Sequence, residues 1–274
     1  GNAKYLLNVL TNYGTVTWLG GNLVTRNYNN GPQAAIENEP GALFDIQCDQ
    51  SLYDDYGGGS PYFHNQGTVQ KSAGTGTTSI SVPFTNAGTV FAQTGSLNFT
   101  AGGSLEAGFT AASGAAIHFT GGAFSYSTPP GLTGPGAIQF TGGSLTLLDN
   151  VIPGLQMTGG TITLAPNFQG GTITNLTLAG SLSGDYTVGG TLTLGNGCTG
   201  TLTLLDGSTL NWSGGTVTGL LLTNGATLNW SGGALSNPFE VVAGATVNWS
   251  GGGASSFVQV DTNAAITLSG GNAK

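Results

Sequence analysis

Four carboxylates crowd one short stretch of the chain: Asp45, Asp49, Asp54 and Asp55. Three tyrosines and a histidine, Tyr53, Tyr56, Tyr62 and His64, lie among or just beyond them. Carboxylate oxygens at this density are the ligand type that calcium takes, and tyrosine rings offer faces on which sugars rest. A solvated polar loop uses the same residues. The spacing fits neither an EF-hand loop nor the calcium-binding nonapeptide repeat. Asp49, Tyr53, Asp54, Asp55, Tyr56, Tyr62 and His64 are therefore a candidate interaction surface, with calcium, sugar and plain loop all open. His118 stands beside Phe119 and reads as an outward side chain of a strand.

The other acids, among them Glu106, Asp149, Asp185, Asp206, Glu240 and Asp261, each stand alone in their segment. Acid–base and glycosidic chemistry require carboxyl groups that converge, so the expectation is a protein that is not an enzyme, with no catalytic residue, metal or cofactor assigned. Cys48 and Cys198 form no CxxC pair and have no histidine close in sequence, which argues against zinc.

What must position these residues is unusual in composition. Of 274 residues, 50 are glycine and only 6% are charged, against about a quarter charged in ordinary domains. A hydrophobic share of 38%, regularly placed, argues against disorder. The net charge of −8 argues against nucleic acid or an anionic membrane as partner. No apolar run is long enough to span a bilayer, and no signal peptide is read, so membrane insertion is not expected. Because residue 1 is not Met, the chain reads as a processed piece.

A repeat organises nearly the whole sequence. A large apolar residue, Ser or Thr, then Gly-Gly recurs as WSGG at Trp212, Trp230 and Trp249, LSGG at Leu268, FTGG at Phe119 and Phe140, and MTGG at Met157, with WLGG at Trp18. A second motif keeps step with it: LTNYGTV, FHNQGTV, FTNAGTV and LTNGATL, carrying Asn12, Asn65, Asn86 and Asn224. The period is about 17 to 21 residues, a solenoid spacing. Between the motifs run alternating stretches such as TVTW, TITL and TLTL, which read as strands, with Gly-Gly and Asn-Gly as turns. Three short strands and three turns close one rung of a parallel β-helix. Trp212, Trp230 and Trp249 should stack in register, in the core or along an outer face, and Trp18 is counted with them among the repeat's turn and stacking positions. The asparagines should form an amide ladder at one turn. The segment Met157 to Leu210 alternates cleanly but blurs the rung boundaries, and residues 48–64 break the period and read as an excursion.

These repeats, above all FHNQGTVQKSAGTGTTSISVPFTNAGTVFAQTGSLNFTAGG and the NWSGG units, resemble bacterial β-strand-repeat surface and secreted proteins of the filamentous-haemagglutinin and autotransporter-passenger adhesin type. The resemblance implies a right-handed parallel β-helix and an exported, extracellular or cell-surface bacterial protein. It supplies no site residue.

The sequence reading is thus a single β-solenoid over residues 1–274, a structural segment of an extracellular fibre, stalk or adhesin. Its partner would be itself, end to end, in tandem or in lateral bundles. The alternative is a carbohydrate- or receptor-binding module, for a host or environmental glycan, that uses the Asp/Tyr excursion. Thr-x-Thr steps such as Thr191/Thr193 and Thr201/Thr203 raise ice binding, but their half-rung spacing scatters them over different faces. About seven rungs separate Cys48 from Cys198, too far for a disulfide, which leaves buried thiols or bonds to a neighbouring chain. The tetrapeptide GNAK stands at both ends, at residues 1–4 and 271–274, and superposing the copies keeps the rung register. A 270-residue repeat, covalent or in a filament, is expected.

Overall fold

The computed structural model describes residues 2–26, 33–57 and 59–270. Gly1 and residues 271–274 lie outside the described residues, and with them most of the GNAK seam. The described chain forms two compact units: residues 1–144 with 152–156, and residues 145–151 with 157–274. Each is a parallel β-solenoid with three strands per rung, and among the described residues the one short helical turn is Phe168–Gly171.

In the first unit a first face stacks Lys4–Leu6, Leu23–Thr25, Ser51–Asp54, Thr77–Ser81, Ser96–Phe99, Ala116–Phe119 and Ala137–Phe140. A second stacks Val9–Asn12, Ala35–Asn38, Phe63–Asn65, Phe84–Asn86, Gly103–Leu105 and Ala123–Ser125. A third runs from Thr15–Trp18 through Leu43–Ile46, Thr68–Lys71, Thr89–Ala92 and Gly108–Ala111 to Gly131–Thr133. Alternation with period two turns one set inward. Phe44, Phe63, Phe84, Phe99, Phe109, Phe119 and Phe140 fill the interior, most meeting a neighbouring ring 4.5 to 6.3 Å away between centroids. Each such ring contributes about 1.5–3 kcal/mol by leaving water.

The regular rungs hold to 19–21 residues, as Thr77 pairs with Ser96, Ser96 with Ala116 and Ala116 with Ala137. Two early rungs are longer, with Leu23 paired to Leu52 and Ser51 to Ser79. The excess sits at the same corner both times, after a first-face strand. The excursion expected over 48–64 is therefore narrower. Ser51–Asp54 and Phe63–Asn65 are ladder strands, so within 51–65 the residues outside ladder strands are those between Asp54 and Phe63.

The second unit explains its blurred boundaries. Tyr186–Leu194, Cys198–Leu204 and Thr216–Leu222 each turn a corner without a loop, and the last two pair with a register shift between Cys198 and Thr201. Gly200, at φ +148, sits in that bend, where a Cβ would lie 2.2 Å from the carbonyl oxygen of Gly184. Rungs here shorten to 16 residues, as between Asn175 and Thr191, and settle at 18 to 19 after Thr191.

The asparagine ladder forms with altered membership. Asn12, Asn38, Asn65 and Asn86 are buried, and the Nδ2 of each of the first three donates to the Oδ1 of the next at 2.8 Å. Each amide also donates to a carbonyl of the next rung, and Asn12 and Asn86 accept from the N–H of Gly14 and Gly88 two residues on. Asn38 was missed because its corner reads NEPG rather than NxGT. Asn224 does not join, because it is exposed in a tight turn at a different corner. Asn65→Ala should cost about 2–4 kcal/mol, since it strands buried groups on two neighbours. Asn224→Ala should cost less than about 0.5 kcal/mol, and the two thermal midpoints check the contrast.

Candidate functional site

The tryptophans settle inward. Trp212, Trp230 and Trp249 pair residue for residue, with ring centroids 5.0 and 4.3 Å apart and planes within 13° and 8°. Trp212 and Trp230 are fully buried, and Trp249 is half-buried. Each buried indole N–H donates to the first glycine of its own WSGG, Gly214 or Gly232. The second glycine takes positive φ, +89° at Gly233, where a Cβ would stand 2.8 Å from the Trp212 ring. The motif is therefore one unit: the glycine of one rung makes room for the indole of the rung before. Trp18, buried in the first unit, donates instead to Gly21.

The acidic cluster does not converge. Asp55 is paired with Arg26, whose guanidinium also lies 4.3 Å over the Tyr5 ring, and this hydrogen-bonded cation holds the Asp55 carboxyl below its usual range. Asp54 accepts from the hydroxyl of Thr25 and the N–H of Gly57. Asp45 accepts from Gln47 and Gln70. Tyr53 faces outward, half-buried, in register with Val24 and Ser81, and Tyr56 is exposed. Tyr62 and His64 do meet, through a residue absent from the sequence reading: Glu37 accepts from the Tyr62 hydroxyl at 2.7 Å and contacts His64 Nδ1 at 3.0 Å. That hydrogen bond raises the Tyr62 pKa. Glu37 was legible only through the ladder, which sets it directly beside His64. Among the described residues no group of three or more His, Cys, Asp or Glu could hold a metal ion. His118 faces outward as expected, contacting Asn98 at 3.1 Å, and burial lowers its pKa.

Asp49 belongs to a different constellation. Lys71 occupies an inward position of the third face between Ile46 and Ala92 and is fully buried. Its ammonium meets Asp49 at 2.6 Å, the Cys48 carbonyl at 2.9 Å, the Ala73 carbonyl at 3.2 Å and the Thr78 hydroxyl at 3.0 Å. A buried ammonium is tolerable only when so satisfied. Its chemistry is that of a clamp, tying two successive corners of the coil.

Both cysteines are free and buried. Burial pushes the Cys198 thiol up to about 12 and raises Cys48 as well. Both thiols thus lie in the interior, Cys198 with no exposed surface and Cys48 with 8%, which favours the buried-thiol alternative over bonds to a neighbouring chain.

A groove of about 390 Å³ lies in the second unit, lined in part by Phe168, Asp185 and Tyr186. The Tyr186 hydroxyl is already used, accepting from the Leu164 N–H and donating to the Ser183 carbonyl. No known protein family, curated protein or solved structure matches the chain.

Two outcomes are expected. The thiols should resist a maleimide in the native protein and react fully in denaturant. The Asp49 carboxyl is held below its ordinary value of 3.8, chiefly by its hydrogen bond to Lys71, so its contribution is complete above that value and is lost as pH falls through the lower folded value. Thermal midpoints measured between about pH 5 and 2 should fall less steeply in Lys71→Met than in wild type.

Proposed function

We propose that the protein is a structural segment of an extracellular fibre, stalk or adhesin whose solenoid is continued rung upon rung. The observation that carries this reading is the apolar surface exposed on the first and last described rungs. In the first unit Tyr5, Leu7, Val9, Tyr13 and Leu19 are exposed on the opening turns. In the second unit Phe257, Val260 and Leu268 are exposed on the closing ones. Leu268 continues the Trp212, Trp230, Trp249 column and is 71% exposed, whereas Trp230 in the same column is fully buried. A following rung, supplied by more chain or by a second copy, would bury these groups and pair the strand edges they stand on. Among the described residues no helix covers either edge.

The mechanical role we infer rests on bonding: within each unit the described rungs are joined by backbone ladders, reinforced by asparagine and phenylalanine columns in the first unit and a tryptophan column in the second. The low-charge polar exterior suits lateral contact. The glycan- or receptor-binding alternative loses support, because most of the carboxylates it relied on already have partners. Sedimentation and electron microscopy of the purified chain test the reading. End-to-end oligomers or filaments are expected, and Leu268→Lys should shorten them. A strictly monomeric protein at all concentrations, with no continuation of the repeat in its natural polypeptide, would overturn it.

A further inference from the structure

The Thr-x-Thr steps do scatter over different faces, but one face of the second unit carries an ordered grid that they alone do not reveal. Its strands are Tyr186–Leu194, Thr209–Trp212, Thr227–Trp230, Thr246–Trp249 and Ala265–Leu268, and from Thr191 onward they pair without a register shift. Leu192, Leu210, Leu228 and Val247 point inward and are fully buried. The residues on either side of them therefore point out. One outward row is Thr191, Thr209, Thr227 and Thr246, and it ends at Ala265, which has no polar group and lies outside the grid. The other is Thr193, Asn211, Asn229, Asn248 and Thr267.

Every member is neutral, and every member both donates and accepts hydrogen bonds. Their orientations are fixed. The threonines are β-branched and stiff at χ1. The amides are locked by a second ladder, with Asn229 donating to Asn211 at 2.7 Å, Asn248 to Asn229 at 2.8 Å and Asn211 to Thr193 at 3.3 Å. Each ladder bond uses one amide N–H and leaves the other for a ligand. Neither row contains a charge to hold an ion or an aromatic ring on which a sugar would stack. What remains is a ligand that is itself neutral, periodic in two dimensions and hydrogen-bonding throughout.

The dimensions choose among such ligands. Rows repeat about every 4.8 Å along the axis and lie about 6.6 Å apart along the strand. A tetrahedral water network with O–H···O of about 2.75 Å has second neighbours about 4.5 Å apart and a layer repeat of about 7.3 Å. Over the four steps from Thr193 to Thr267 the axial mismatch accumulates to about 1.2 Å, under a third of one lattice step. With only two rows, the transverse mismatch of about 0.7 Å is incurred once. We propose that this Thr/Asn grid binds the surface of ice. The proposal is independent of the fibre reading, since a stalk and an ice-facing side can coexist on one solenoid.

The test compares the full chain with Thr227→Lys, which places a long charge in mid-grid, and with Glu240→Lys, an exposed position on another face. Thermal hysteresis and adsorption of labelled protein to a growing ice surface are the readouts, with circular dichroism reporting the fold. Expected are a hysteresis gap and adsorption for wild type and Glu240→Lys, and loss of both for a folded Thr227→Lys. Thr209→Tyr serves the same purpose if the lysine variant unfolds. Absence of both effects in wild type overturns the proposal, as does their survival in folded grid variants. A change in sedimentation of the grid variants with no ice effect in wild type assigns the face to packing between copies and equally overturns it.

Discussion

Parallel strands can stack indefinitely only if each rung repeats the backbone path of the one before at about 4.8 Å. Everything else in this molecule answers to that spacing. It sets like upon like, so a residue is chosen less for its own environment than for tolerating a copy of itself directly above. Phenylalanine, tryptophan and asparagine meet that condition in different ways: edge-to-face rings, parallel indoles, and amides whose donor end meets the next acceptor end. Glycine meets it at the corners, where carbonyls of successive rungs approach too closely for any Cβ. At Gly88 a Cβ would lie 2.1 Å from the Gly67 oxygen.

The architecture was largely legible because the same constraint writes itself into the sequence as a period. WSGG gave the rung, and both the stacking of its tryptophans and the outward face of His118 followed. What was misread shows where a period stops informing. Asn224 shares a turn-like context with Asn65, yet occupies another corner, and a local motif does not say which corner it turns. Asn38 does the ladder's work without the motif, since two extra residues in its turn disguise it. Middle rungs looked irregular because their corners are bends within continuous strands, marked by one or two glycines inside the strand rather than by turn sequences.

The candidate site was less legible, because charge density along a chain is not charge density in space. Asp45, Asp49, Asp54 and Asp55 are close in sequence, but each is claimed by a partner about one rung away, a separation that sequence proximity hides. Conversely Glu37 and His64, 27 residues apart, become neighbours through stacking. Lys71 carries no motif that would place it, and only the ladder reveals it on an inward position. The Thr/Asn grid was invisible for a related reason: asparagine replaces threonine in three successive rungs, so a search for Thr-x-Thr sees fragments.

The tryptophan column has a consequence beyond packing. Three indoles lying parallel at centroid separations of 5.0 and 4.3 Å are close enough for their transition dipoles to couple. Their coupling depends steeply on the rung spacing. Light absorbed at one indole thus reports on the tension of the coil along its axis, and stretching, fraying or the docking of a further rung would each register as a change of colour or polarisation in an unlabelled protein.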